Sequence, residues 1–248
     1  MDDVLLVTGA SRGIGAACAR LAAKHGFRVC VNYNRSAEAA ADVVASIESA
    51  GGTGVAIQAD VSREADVVRL FQDIDSQLGP VTHLVNNAGG VVPFGPIDKI
   101  DEGMLDEIWR TNITSVFLCS REAAKRMRAN PDPSRCAIVN LSSAAARLGG
   151  ANVFMEYAAS KGAIDTFTVG LAQELGPDGI RVNAVRPGLI DTEIHAAGGA
   201  PDRVAKLGPT VPMGRSGSAE EVAEAVLWLL SDAASYVTGT HVDVSGGR

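Results

Sequence analysis

Val4-Leu5-Leu6-Val7-Thr8-Gly9-Ala10-Ser11-Arg12-Gly13-Ile14-Gly15 is the stretch on which the fold turns. Four apolar residues in a row, with no polar alternation, read as a strand buried on both faces. Glycines follow, and then an Ala-rich pattern with helical spacing runs to about His25. Strand, glycine turn and helix in that order make a cradle for a pyrophosphate. The glycines permit a tight turn and close approach of backbone, and the helix N-terminus offers free N–H groups and a positive dipole end. The spacing is Gly9-x-x-x-Gly13-x-Gly15, and no Lys-Ser/Thr pair follows, so a nucleoside-triphosphate loop is excluded and a dinucleotide is favoured. Gly9, Ser11, Arg12, Gly13, Ile14 and Gly15 are therefore candidate cofactor contacts.

The same unit recurs outward from there. Strands are predicted at 28–33, 54–60 and 81–85, with helices at 36–50 and 63–78 between them. Right-handed crossovers in such a chain build a parallel sheet whose order reverses between the first and fourth strands, opening a crevice at the switch point. Asn86-Asn87-Ala88-Gly89 leaves the fourth strand into that crevice, where Asn86 and Asn87 could secure backbone and ribose. A site selective for NAD would carry Asp or Glu near the end of the second strand. Asn34, Arg35 and Ser36 stand there instead, after Asn32 and Tyr33, and Arg12 lies in the glycine turn. Two guanidiniums beside the adenosine ribose suit a 2′-phosphate, so the predicted cofactor is NADP. Asp60 and Val61, ending the third strand, are candidates for the adenine.

Composition narrows the partners. The chain has 248 residues, 46% hydrophobic but only 4% aromatic, which suits a core of Ala, Val, Ile and Leu in one large domain or two small ones. A net charge of -7 gives no basic footprint for nucleic acid and no attraction to an anionic membrane, leaving a small molecule as the expected partner. Neither a secretory signal nor a spanning segment is evident, so a soluble, cytoplasmic protein is expected. Cys18, Cys30, Cys119 and Cys136 are far apart and read as reduced core residues. The four histidines show no zinc-ligand spacing, and no metal is expected.

The chemistry is centred on Tyr157 and Lys161, four apart in a helical pattern over 156–175 and hence on one face. A phenol of pKa about 10 is a weak acid-base group at neutral pH, and a nearby ammonium is expected to draw it down. Residues 103–129 read as a long helix interrupted by polar Thr111-Asn112-Ile113-Thr114, where Asn112 would hold a water or distort the helix. A fifth strand over 136–141 runs into Ser142-Ser143, and Ser143 could donate to a substrate oxygen. A sixth, over 180–185, runs into Pro187-Gly188-Leu189-Ile190-Asp191-Thr192. Residues 193–215, glycine-rich and without a clean period, read as a mobile lid within about 189–215. Arg147, Phe94, Phe154, Met155 and His195 are expected to border the substrate. Ser218 to Glu221 is a capping box opening a helix to Leu230, and 241–244 is a last strand.

Together, Thr8 to Gly15, Asn86 to Gly89, Asn112, Ser143, Tyr157 with Lys161, and Pro187-Gly188 to Thr192 resemble the short-chain dehydrogenase/reductase family from end to end. The resemblance implies a single α/β domain, a Rossmann-like three-layer sandwich with a seven-stranded parallel sheet in the order 3-2-1-4-5-6-7. It implies a tetrad of Asn112, Ser143, Tyr157 and Lys161. In it the tyrosine is general acid or base, the lysine also holds the nicotinamide ribose, the serine orients the substrate oxygen and the asparagine retains a proton-relaying water. Ile190 and Thr192 would contact the carboxamide, and a homotetramer is expected. The serine-to-tyrosine interval is one residue longer than in many members. Tyr157-x-x-x-Lys161 favours carbonyl or alcohol chemistry over enoyl reduction, for which the lysine lies further along. Bacterial glucose-dehydrogenase-like members are similar, and ketoacyl-carrier-protein reductases nearly as much, although Gly176-Pro177-Asp178 stands where basic residues would serve a carrier protein. A rival of another class is a non-catalytic NADP-binding regulatory subunit.

Overall fold

A computed structural model describes residues 3–248. Seven strands form one parallel sheet: β1 (Val4–Val7), β2 (Arg28–Tyr33), β3 (Thr53–Gln58), β4 (His83–Asn86), β5 (Ala137–Leu141), β6 (Arg181–Pro187) and β7 (His241–Val244). Their order across the sheet is β3-β2-β1-β4-β5-β6-β7, with the reversal between β1 and β4. Because successive side chains on a strand point to opposite faces, the apolar runs feed two cores. Leu5 and Val7 of β1 face one layer, with α1 (Gly13–Lys24), α2 (Ala37–Ser49) and α10 (Ala219–Leu230). Val4 and Leu6 face the other, with α3 (Glu64–Gln77), α5 (Ser115–Arg128) and α7 (Met155–Leu175). Small residues let α1 lie close to the sheet: Ala16, Cys18, Ala19 and Ala22 are all buried.

The element bounds shift by a few residues from the sequence reading, and three differences are physical. The long helix expected over 103–129 is α4 (Glu102–Trp109) and α5, joined by a single π-helical turn at Arg110–Thr114. The region expected to lack period contains α8 (Ile194–Ala197), α9 (Arg203–Leu207) and a 3₁₀ turn at Gly208–Thr210. These helices are too short for a periodic signal to emerge. Between β5 and α7 a further short helix, α6 (Ala145–Leu148), leads to Asn152, whose φ of 62° places it in the left-handed region. The capping box of α10 is present: Ser218 Oγ accepts from the Glu221 N–H, and the Glu221 carboxylate accepts from the Ser218 N–H. All four cysteines are buried and unpaired. Among the described residues no helix is long and apolar enough to cross a membrane.

Candidate active site

The carboxyl ends of β1, β4, β5 and β6 converge on one open cleft. Ile14, Asn87, Gly89, Ser143, Tyr157, Lys161, Pro187, Gly188, Ile190 and Thr192 line it together. On its floor the glycine turn has the shape a pyrophosphate requires. Gly13 has φ 55°, a conformation that disfavours any side chain, and a Cβ on Gly15 would lie 2.8 Å from the Gly9 carbonyl and against the Asn87 amide. The first N–H groups of α1 have no intrahelical acceptor, and no side chain caps them. The turn is also pinned from below. Asn32, fully buried, accepts from the Gly9 N–H and donates to the Ile57 and Ala59 carbonyls. Asn87 donates to the carbonyls of Thr8 and Gly9, and the Thr8 hydroxyl accepts from the N–H groups of Asn87 and Ala88. This cradle and the crevice above it fit a nicotinamide dinucleotide.

Asn34, Arg35 and Ser36 follow the end of β2, further along the same edge of the sheet. Arg12 and Arg35 are exposed, and neither is ion-paired to a described residue. Asp60 and Val61 lie beyond β3. The Asp60 carboxylate is engaged locally, accepting from the Ser62 N–H and hydroxyl and lying 3.5 Å from Arg63. Asn86 is not a cleft residue. Its amide donates to Ser120 and Asn140, and Asn140 donates to Thr168, a buried ladder that ties β4 and β5 to α5 and α7. The sequence offered no means of separating Asn86, whose side chain points below the sheet edge, from Asn87, which points above it.

The four chemistry-bearing side chains arrive from separate elements. Asn112 sits in the π turn with its side chain committed: Oδ1 accepts from the Gly90 N–H, and Nδ2 donates to the Gly90 carbonyl and Ser160 hydroxyl. It is fully buried, with both amide hydrogens engaged and one lone pair of Oδ1 left over. Gly89 packs between them, since a Cβ there would lie 3.3 Å from Asn112 Oδ1 and 3.5 Å from Lys161 Nζ. Ser143 Oγ accepts from the Ala145 N–H and lines the cleft together with Tyr157. Lys161 is buried and donates to the Leu141 carbonyl at 2.7 Å, with Nζ 5.7 Å from the Tyr157 ring centre.

Electrostatically the pair departs from the sequence expectation. Burial raises the Tyr157 phenol above its ordinary value and outweighs the influence of the Ser143 hydroxyl, which lowers it. Burial also pushes Lys161 down to about 8, partly offset by Asp165 one turn further on. Desolvation, ahead of any charge, therefore sets the direction for the phenol. Asp165 is in turn held by Arg186, whose Nε and Nη2 both donate to its Oδ2.

Of the residues expected to border the substrate, Phe94, Phe154 and His195 do so. Arg147 and Met155 do not line this cleft. Arg147 turns to the Arg248 carbonyl and Asp243. Arg203 and Arg248 line the cleft and were not singled out from the sequence, where nothing distinguishes them from the other cations.

The family model described as enoyl-(acyl carrier protein) reductase matches residues 9–248. An uncharacterized oxidoreductase of Escherichia coli (strain K12), YgfF, is 50% identical over 245 residues, covering 99% of each chain. The 3beta-hydroxysteroid dehydrogenase 1 of Eggerthella lenta is 41% identical over 244 residues, 98% of this chain and 92% of that one. Among solved structures, a double mutant of a Serratia marcescens short-chain dehydrogenase/reductase superposes with a TM-score of 0.88 at 35% identity, covering 99% of this chain and 97% of that one. A dehydrogenase/reductase from Sinorhizobium meliloti 1021 gives 0.91 at 33% identity, covering 99% and 94%. With its sheet order, its glycine turn and these relatives, the chain belongs to the short-chain dehydrogenase/reductase family and is a nicotinamide-dependent oxidoreductase.

Proposed function

We propose that the chain interconverts a secondary alcohol and a ketone with NADP as its preferred cofactor, Tyr157 moving the proton. The observation that carries this reading is the meeting of Tyr157, Ser143 and Lys161 in one cleft that continues into the glycine turn. The cofactor, when bound, supplies or accepts the hydride. Ser143 orients the substrate oxygen, and Tyr157 donates to that oxygen in reduction or takes its proton in oxidation. A raised phenol pKa keeps Tyr157 protonated at neutral pH, as reduction needs. Lys161 holds the ribose, and loses its charge above about pH 8, so reduction should fall off on that side. Asn112 contributes through its grip on Gly90 and Ser160.

Tyr157→Phe should lower kcat by about 10²- to 10⁴-fold while NADP affinity, followed by fluorescence titration, stays nearly constant. Full turnover in that variant would sink the proton-transfer role, and NADP binding without turnover on any ketone or alcohol would favour the regulatory-subunit reading. The preference for NADP rests on Arg12 and Arg35, both free to meet a phosphate. Arg35→Ala should raise KM for NADPH by about tenfold or more and leave KM for NADH nearly unchanged.

The matched model's description names enoyl reduction, but the four-residue spacing of Tyr157 and Lys161 supports carbonyl chemistry. The relative named a hydroxysteroid dehydrogenase acts within the same reaction class. A carrier-protein substrate is disfavoured by the surface ahead of β6, where Asp178 pairs with Arg128 at 2.7 Å and so neutralises a cation an acidic carrier would need. We propose a homotetramer on the apolar surface of α5 and α7, where Phe117, half exposed, stacks on Phe167 with ring centres 4.1 Å apart beside exposed Val169.

A further inference from the structure

The substrate end of the cleft has a charge pattern at odds with the rest of the molecule. The chain carries 29 acidic and 22 basic residues, yet no Asp or Glu lines this cleft, whereas Lys161, Arg203 and Arg248 all do. Lys161 donates to the Leu141 carbonyl and is assigned to the cofactor ribose, and His195 Nε2 meets the Ile190 carbonyl. Two other half-buried arginines are held by carboxylates, Arg186 by Asp165 and Arg126 by Asp75 and Glu122, and half-buried Arg28 donates to the Gln77 carbonyl. Arg203 has none among the described residues, nor any side-chain hydrogen bond.

Its guanidinium is nonetheless held in place. It lies 5.5 Å from the ring centre of Phe94 and 5.0 Å from that of Phe154. Those rings pack on each other at 5.5 Å, and Phe154 meets Tyr157 edge-on at 5.9 Å. The segment leading towards α9 is anchored at the end of α8: Gly198 lies against the Phe94 ring, and its carbonyl accepts from the Phe94 N–H. A guanidinium stacked on aromatic faces keeps its edge of N–H donors free, and that edge matches a carboxylate in two parallel bonds. Burial and the charge of Arg248 both disfavour the protonated form of Arg203, so an anion there would relieve both.

Resting on the carbonyl-reductase reading, we propose that the substrate is an oxo or hydroxy acid whose carboxylate is bound by Arg203, with its reacting carbon at Tyr157 and a short apolar spacer along Phe154. Arg203 stands one aromatic ring from Tyr157, which fits an anion a few carbons from the carbonyl. The 2′-phosphate end of the cofactor site, at Arg12 and Arg35, belongs to the other end of the crevice, beyond the glycine turn.

The test is a set of matched pairs reduced with NADPH by the full chain: acetoacetate, levulinate and 5-oxohexanoate, each against its ethyl ester. The expected result is a kcat/KM at least about tenfold higher for the acid in one or more pairs. That acid-to-ester ratio should collapse towards unity in Arg203→Met and be partly kept in Arg203→Lys. A purely structural stacking role would lower acid and ester alike and leave the ratio unmoved. Esters equal to or better than acids in every pair, or a ratio that survives Arg203→Met, overturns the proposal. If neither member of any pair turns over, the reductase reading is at fault. The anion site is then judged by calorimetry on the NADP-saturated protein with hexanoate against hexanamide. Hexanoate binding that Arg203→Met abolishes supports the site, and equal or absent binding of the two overturns it.

Discussion

At the scale of single residues, the molecule separates side chains that look equivalent on paper. His83 is one of four histidines without a motif, but it is buried under the sheet, edge-on to Phe27 at 4.9 Å and 2.9 Å from the Thr82 hydroxyl. Burial lowers its pKa to about 4, with Arg181 acting in the same direction and Asp3 opposing. The folded chain therefore resists a proton that the unfolded chain accepts near pH 6.5. Stability should be lost as pH falls from about 6.5 towards about 4, by on the order of 2 kcal/mol at pH 5. Urea unfolding at pH 7 and pH 5 measures this, and His83→Gln should shrink the difference between the two by about that amount. Tyr157 and Lys161 show the same lesson at the site. Their spacing on one helix face was legible in the sequence, but the balance of burial against charge was not, because desolvation depends on what other segments cover them.

At the scale of elements, the break between α4 and α5 connects sequence, packing and chemistry. Polar residues at 111–114 flagged an interruption, and it is a π turn that swings Asn112 onto Gly90 and Ser160. Replacing Asn112 by Ala would orphan the Gly90 N–H and carbonyl together. The expected cost is roughly 3 kcal/mol in denaturant unfolding, with loss of turnover as Gly90 and Ser160 lose their shared anchor. An unaltered stability would show that the turn is held by other contacts. The start of α10 was readable because a capping box is a local device of four residues. In contrast, α8 and α9 were not, being ordered by contacts such as Gly198 on Phe94 rather than by their own periodicity.

At the scale of the whole molecule, the alternation of strands and helices dictated a parallel sheet, and the sheet's reversal between β1 and β4 dictated where a cleft opens. The apolar surface at Phe117, Phe167 and Val169 belongs to this scale too, since Phe117 and Val169 stay exposed in the single chain. Light scattering should report a mass of four chains, and Phe117→Asp should reduce it by placing a charge in the middle of the proposed contact. A single-chain mass for the unaltered protein would remove the tetramer.

The amino-acid sequence by itself determined the order of strands and helices, the glycine turn, the capping box of α10 and the residue types at each strand end, because these are written in hydrophobic period, in local capping and in backbone conformations that only certain residues tolerate. Only the tertiary structure decided that Asn86 belongs to a buried ladder and Asn87 to the turn, that Lys161 points at the Leu141 carbonyl, and that Arg203 reaches the cleft without an ion pair among the described residues. These outcomes depend on which distant segments meet, and burial, charge pairing and hydrogen-bond partners come into being with that meeting rather than with the order of residues along the chain.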